Sequence, residues 1–268
     1  MRSIFLFIIL FSSTLQALDF KLDMGAGIYY TGAQGTVEYV TTSFEGSTAE
    51  ADLISEEQYY VWADIDTRTP YVPKIRFEYL SFAANGDSQA HLQSGDADIQ
   101  QAIDDYINNG GIPLNDQYWY SHLQQDIYDV TLYYEYFEDS DFPSLGFGIG
   151  YRYFTYIYIM DIHYVPGLQF GDRDNSGAPN IYLTSRYDMP SINMGFEGDA
   201  KAYLFGDSTM YDYKFKLDLM FDIDESTRAG VEFGYRAQYF SLEGGDVENV
   251  RGDMKYQGIF IGALMTFH

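Results

Sequence analysis

The chain has no cysteine among its 268 residues. That absence excludes a disulfide framework and all thiolate-based zinc or redox chemistry. Basic residues are scarce: 15 Lys and Arg stand against 40 Asp and Glu, a formal charge of −25. Such a surface repels phosphate backbones, so no nucleic-acid partner is expected; it suits soluble loops and draws cations instead. Long apolar runs are missing too. A helix needs about twenty consecutive apolar residues to cross a bilayer, and no stretch here reaches that, which excludes a helical membrane protein. A barrel is not excluded, because its strands are only half apolar.

The one continuous apolar run, Ile4 to Phe11, comes after Arg2 and precedes the mostly polar Ser12 to Ala17. This is the layout of a signal peptide over residues 1–17, with cleavage expected after Ala17 although Leu15 occupies a position where a small residue is usual. Cleavage there leaves a mature chain of residues 18–268. It is rich in aromatics, with 27 Tyr and 20 Phe, the residues that membrane barrels place at both interfaces.

From residue 18 onward, apolar and polar residues alternate in segments of roughly ten. Tyr211, Tyr213, Phe215, Leu217, Leu219 and Phe221 interleave with Asp212, Lys214, Lys216 and Asp218, and the chain closes on Ile259, Ile261, Ala263, Met265 and Phe267. The pattern gives strands over about 19–31, 58–66, 74–83, 125–137, 144–159, 179–188, 191–206, 210–222, 227–241 and 253–268. No helical crossovers separate them. The expected fold is all-β: a transmembrane antiparallel up-and-down barrel of about ten strands, within a range of eight to twelve.

Connections alternate in length. Thr67 to Pro73, Glu138 to Pro143, Met189 to Pro190 and Asp224 to Ser226 are short and rich in turn formers. Residues 32–57, 84–124, 160–178 and 242–252 read as long polar loops, and 33–44 as a strand extension of the first hairpin. DADIQQAIDDYINN, residues 96–109, ahead of Gly110-Gly111, has the spacing of a short amphipathic helix. Short turns on one side and long loops on the other are the asymmetry of bacterial outer-membrane barrels, which puts both termini in the periplasm.

The inward phase holds Lys21, Asp23, Arg76, Glu78, Asp129, Glu135, Arg152, Arg186, Glu197, Asp199, Lys201, Asp212, Lys214, Lys216, Asp218, Glu232 and Arg236. Eight cations against nine carboxylates predict a lumen filled by ion pairs, since unpaired charges in so narrow a space are costly. A wide water channel belongs to barrels of about sixteen strands or more. Gly146, Gly148 and Gly150 share the inward phase, as room for long side chains from across the barrel or as a groove for a solute.

GAGIYYTGAQGTVEY (25–39), YYVWADIDTRTPYVPKIRFEYLSF (59–82), DVTLYYEYFED (129–139), MYDYKFKLDLMFDID (210–224) and AGVEFGYRAQYFSLE (229–243) together resemble a family of small proteobacterial outer-membrane β-barrel proteins without an assigned activity. Their order and spacing, with the Pro-containing turn at Tyr71 to Pro73, carry the resemblance. It implies a Gram-negative outer-membrane location and a barrel inserted by the outer-membrane assembly machinery among outer-membrane lipids. It implies no catalytic residues.

Two pieces of chemistry remain. Asp161 and His163, one residue apart on a strand, resemble half of the Asp/His and Asp/Asp rim site of omptin proteases; the second half has no partner, because the Asp64-Ile65-Asp66 pair falls at the other end. Asp172, Asp174 and Ser176 before Gly177 match the opening of a calcium loop, but Leu183 stands where a bidentate Glu is needed, leaving weak Ca2+ binding by the outer loops. No cofactor is expected. The function expected is structural or surface-binding toward an extracellular ligand, with a porin-like narrow pore as the alternative and an omptin-like protease behind both.

Overall fold

The computed structural model describes residues 20–40, 45–55, 58–69, 71–93, 104, 108–109, 118–137, 142–161, 169–205, 208–242 and 250–268. Among the described residues eleven strands run in chain order: β1 (Lys21–Val40), β2 (Glu45–Ser55), β3 (Gln58–Asp66), β4 (Lys74–Gln93), β5 (Tyr118–Tyr136), β6 (Ser144–Asp161), β7 (Gln169–Met189), β8 (Met194–Phe205), β9 (Ser208–Asp222), β10 (Thr227–Leu242) and β11 (Val250–Phe267). From β3 to β11 each pairs antiparallel with the next, and β11 returns to β1 in an unbroken ladder from Leu22↔Phe267 to Tyr39↔Val250. β2 and β3 share one place in the sheet, both lying between β1 and β4. Eleven segments therefore make a closed barrel of ten staves. Closure leaves no strand edge, the condition for placing a sheet in a medium that offers no hydrogen bonds.

Tight turns gather at one end, here the turn end. Val72 donates its amide to the Thr69 carbonyl at 3.1 Å between β3 and β4. A single 3-10 turn, Pro190–Ile192, joins β7 to β8. Between β9 and β10 the Asp224 carboxylate accepts the Ser226 amide at 2.8 Å and the Ser226 hydroxyl at 3.0 Å, which holds its pKa below the ordinary carboxylate value.

The ten-strand reading agrees with this architecture; the β3–β4, β7–β8 and β9–β10 turns fall where expected, and most of Glu138 to Pro143 lies outside the described residues. The strands overrun it at the opposite, loop end. Residues 84–93 and 118–124 are ladder between β4 and β5, and β7 begins at Gln169, so the long loops expected over 32–57, 84–124 and 160–178 are in large part sheet. The reason is an inversion of polarity along single strands. On β5, Tyr128, Val130, Leu132 and Tyr134 face outward over buried Asp129, Thr131 and Tyr133; toward the loop end the same strand turns Gln124 and Asp126 outward and buries Leu123 and Ile127. On β11, Ile259 and Ile261 face outward, but beyond them Asp253 and Lys255 do, with Met254 and Tyr256 buried. Apolar-out gives way to apolar-in, so the alternation loses its sense and reads as loop. The helix expected over 96–109 and the signal peptide lie outside the described residues, apart from Asp104, Asn108 and Asn109.

The apolar-out zone forms a belt. Phe215, Phe221, Ile149 and Ile259 are each more than 60% exposed, part of an apolar surface that continues over many strands, as a membrane-facing patch does. A row of tyrosines borders the belt toward the loop end across β3 to β6: Tyr59–Tyr79, Tyr79–Tyr128 and Tyr128–Tyr153 ring centroids lie 5.8, 4.9 and 6.3 Å apart. Tyr79 donates to Asp126, just past the border, at 3.0 Å. Apolar rings below and hydroxyls above are what an interfacial girdle requires.

Candidate functional site

The lumen is where the sequence concentrates its chemistry, and it is layered. At the turn end it opens as a vestibule of about 440 Å3 whose wall includes Lys21, Asp23, Asp64, Lys74, Glu135, Arg186 and Asp188, together with Trp62, Lys216 and Met220. Lys21 pairs with Asp23 at 2.9 Å, and Asp23 also accepts the Thr266 hydroxyl at 2.6 Å. Lys74 pairs with Glu135 at 2.8 Å. Glu135 accepts the Ser144 hydroxyl as well. Arg186 spans three carboxylates: Asp188 at 2.7 Å, Asp218 at 2.8 Å and Glu197 at 3.1 Å.

Above the vestibule the charges interlock. Glu197 takes Lys216 at 2.8 Å and Arg76 at 3.0 Å. Lys214 bridges Asp199 at 2.7 Å and Glu78 at 2.9 Å, while Lys201 joins Glu78 to Asp129, the latter at 2.8 Å. Arg152 grips Asp129 with Nε and Nη2 at 2.8 and 2.7 Å and reaches Asp212 at 2.6 Å. Asp212 further accepts Arg236 Nε at 2.8 Å and the Gln238 amide at 2.8 Å. Glu232 ties the two ends of the chain together, accepting Tyr60 Oη at 2.7 Å and Trp62 Nε1 at 2.9 Å. Arg152 also lies over the Tyr203 ring, 4.4 Å from its centroid, and Lys216 over Trp62 at the same distance.

The seventeen residues assigned to the inward phase line the lumen: fourteen join in one ion-pair network, Lys21 and Asp23 form a separate pair, and Glu135 pairs with Lys74. The physical cause is desolvation. A charge withdrawn from water costs several kcal/mol, roughly, unless bidentate or multiply bonded partners replace its hydration, and near-equal numbers of cations and carboxylates supply those partners here. Asp64 and Lys74 line the lumen too, although the inward phase did not include them. Their strand parity, two and four residues from Trp62 and Glu78, carries the signal: Asp64 accepts Tyr133 Oη at 2.7 Å.

A second, apolar layer sits toward the loop end, and the polar-inside pattern gave no warning of it. Leu80, Phe82, Leu123, Ile127, Phe154, Met210, Phe240 and Tyr256 are all buried. Phe82 and Tyr256 rings meet edge-on at 4.1 Å, and Phe240 meets Tyr256 at 5.3 Å. Two small cavities between the layers hold about 10 Å3 each, one beside Glu232 and Tyr60, the other between Gln58 and Gln238. That is the size of a single water.

The inward glycines resolve in favour of side-chain room. A Cβ on Gly146 would stand 2.3 Å from Thr184 Cγ2, one on Gly148 would stand 2.5 Å from Tyr133 Cβ, and one on Gly150 would stand 2.8 Å from Asn180 Oδ1 and Thr131 Oγ1. The space they leave is occupied.

The remaining candidates do not converge. Asp161 ends β6 opposite Tyr120 and Gln169, and His163 lies outside the described residues. Asp64 and Asp66 are at the opposite end of the barrel, in the vestibule wall. Asp172, Asp174 and Ser176 stand in β7, in register with Tyr158, Tyr156 and Phe154 of β6. The loop expected there is corrected to strand: the backbone is extended and paired, where a calcium loop wraps its ion. Among the described residues no cluster of three or more His, Asp or Glu side chains could hold a metal.

No protein-family model matches the chain, and no curated protein does. Solved structures do. The chain is similar to the outer membrane protease OmpT of Escherichia coli, with a TM-score of 0.48 and 8% identity over 94% of this chain and 99% of that one. It is similar to the translocator domain of the autotransporter NalP of Neisseria meningitidis, with a TM-score of 0.40 and 8% identity over 96% and 91%. A Pseudomonas aeruginosa FadL homologue is similar at 0.33 and 8% over 93% and 90%.

Proposed function

We propose that this chain is an integral β-barrel of a Gram-negative outer membrane, inserted by the assembly machinery of that membrane. Its turn end and both termini face the periplasm, and it works through its loop-end surface with its lumen closed. The observation that carries the reading is the stacking of two unlike plugs. A solute entering the vestibule meets first the interlocked Arg76, Lys214, Arg152 and Asp212 contacts and then the packed Phe82, Tyr256 and Phe240 rings. Opening a path would strip partners from buried charges and break an apolar core at once. The exposed belt supports the membrane setting, and the inversion of polarity supports a barrel whose loop end stands clear of the bilayer, with water outside and an apolar core inside.

A swelling assay tests this reading. Vesicles carrying the refolded mature chain should swell in a pentose no faster than empty vesicles. Swelling at the rate given by a general porin would overturn the closed-lumen reading in favour of a narrow solute pore.

A further inference from the structure

The apolar belt is uneven in height. On β9 the outward apolar series runs from Tyr211 to Phe221, which at roughly 3.3 Å per residue and a tilt of about 40° covers about 25 Å along the barrel axis, the height a barrel needs for an outer membrane. On β4 the series is only Ile75, Phe77 and Tyr79 before Ser81 turns polar, or about 10 Å on the same reckoning. The border toward the loop end is common to β4 and β5, because Tyr79 and Tyr128 are in register. The deficit therefore lies at the turn end. There β5 continues outward with Tyr134 and Tyr136, past Tyr133, which stands opposite Lys74, the first residue of β4. Beside those two tyrosines lies the β3–β4 turn.

That turn is apolar at its tip. Tyr71 is 93% exposed, and Val72 beside it in the turn and Tyr134, Tyr136 and Phe137 at the end of β5 are exposed as well. Tyr134 donates its hydroxyl to the Tyr71 carbonyl at 2.9 Å, fixing the turn against the end of β5. Tyr71 and Phe137 both sit in the left-handed region, at φ 69° and 68°, a conformation that bulky side chains adopt at a cost. Tyr71 is held there with its side chain almost wholly exposed, and Phe137 is 62% exposed.

We propose that Tyr71, Val72 and Phe137 form a membrane wedge: the β3–β4 turn is submerged in the headgroup and acyl boundary of the periplasmic-side phospholipid leaflet, completing the belt where β4 is too short. The occupant is lipid rather than a protein because the patch continues the belt without a polar break along β5, and because it fills the missing height. This rests on the membrane reading above.

The absence of native cysteine makes the test direct. Single-cysteine variants Tyr71→Cys and Val72→Cys carry a nitroxide, as do Phe147→Cys on the outward apolar face of β6 and Asp224→Cys in the β9–β10 turn, all refolded into phospholipid vesicles and checked for heat-modifiable migration. Collision with oxygen, which partitions into lipid, is compared with collision with a nickel chelate, which stays in water. Probes at 71 and 72 should give an oxygen-to-nickel ratio several-fold above that at 224 and close to that at 147. A ratio at 71 and 72 equal to that at 224, with 147 still lipid-facing, would overturn the wedge alone and hand the patch to a periplasmic protein. A water-facing probe at 147 would overturn the membrane reading and the wedge with it.

Discussion

Replacing Asp212 by alanine should lower the unfolding free energy of the refolded barrel by about 3–5 kcal/mol, the range seen when one member of a buried ion pair is removed. Asp212 is 3% exposed and is the shared acceptor of Arg152, Arg236 and Gln238. Its loss leaves Arg152 to Asp129 and Arg236 to the Tyr29 hydroxyl, so two guanidiniums stay buried with half their partners. Urea titration in detergent micelles or thin vesicles reads the shift of midpoint. The exposed Arg228–Asp222 pair, 2.9 Å apart near the turn end, supplies the comparison: solvent screens it, and Asp222→Ala should move the midpoint little. Equal losses at the two sites would mean that the lumenal charges are hydrated rather than packed. Replacing Asp212 and Arg236 together by leucine and methionine should recover a large part of the loss, because the cost lies in the orphaned charge.

Gly27→Val should prevent closure. Gly27 of β1 stands opposite Gly262 of β11 at the seam where the ends of the chain meet. A Cβ on Gly27 would lie 2.2 Å from the Ile261 carbonyl oxygen and 2.6 Å from the Gly262 Cα. Those are backbone atoms of the partner strand, and they have no rotamer by which to yield. One on Gly262 would lie 2.3 Å from Tyr60 Oη, the hydroxyl that reaches Glu232. The bald strip thus lets Tyr60 cross the seam and tie β3 to β10. Overpacking of side chains costs roughly 1–3 kcal/mol; against backbone the loss should be larger, seen as disappearance of the folded, heat-modifiable band. Phe147→Val on the lipid face, which removes volume without touching the seam, should keep that band.

The fold was legible because hydrocarbon and ion pairs impose opposite chemistries on alternate residues. Tyr211 to Phe221 announces its faces without help from any other strand, and the lumenal phase of Arg152, Asp212 and Arg236 comes from counting by twos. Partners were not legible. Which carboxylate Arg152 would take depends on the stagger between β5, β6 and β9, and alternation within a strand carries no information on stagger. The loop-end sheet was missed for a different reason. Past Asp126 and Gln257 the exterior faces water and the interior must be apolar, so Leu123, Phe82 and Tyr256 took the parity assigned to polar residues. Alternation that persists while its polarity flips marks β4 beyond Phe82 and β5 from His122 as strand; Tyr118, Trp119 and Tyr120, three aromatics in a row, carry no such mark.

A closed lumen should be electrically silent, and single-channel recording of the refolded mature chain in planar bilayers tests that directly. With insertion verified by heat-modifiable migration of the same preparation, the bilayer should show no steps across the voltage range in concentrated electrolyte. Stable steps whose size grows with salt concentration would contradict closure, since ions could cross only if the contacts joining Arg76, Lys214, Asp212 and Arg152 were open in the membrane.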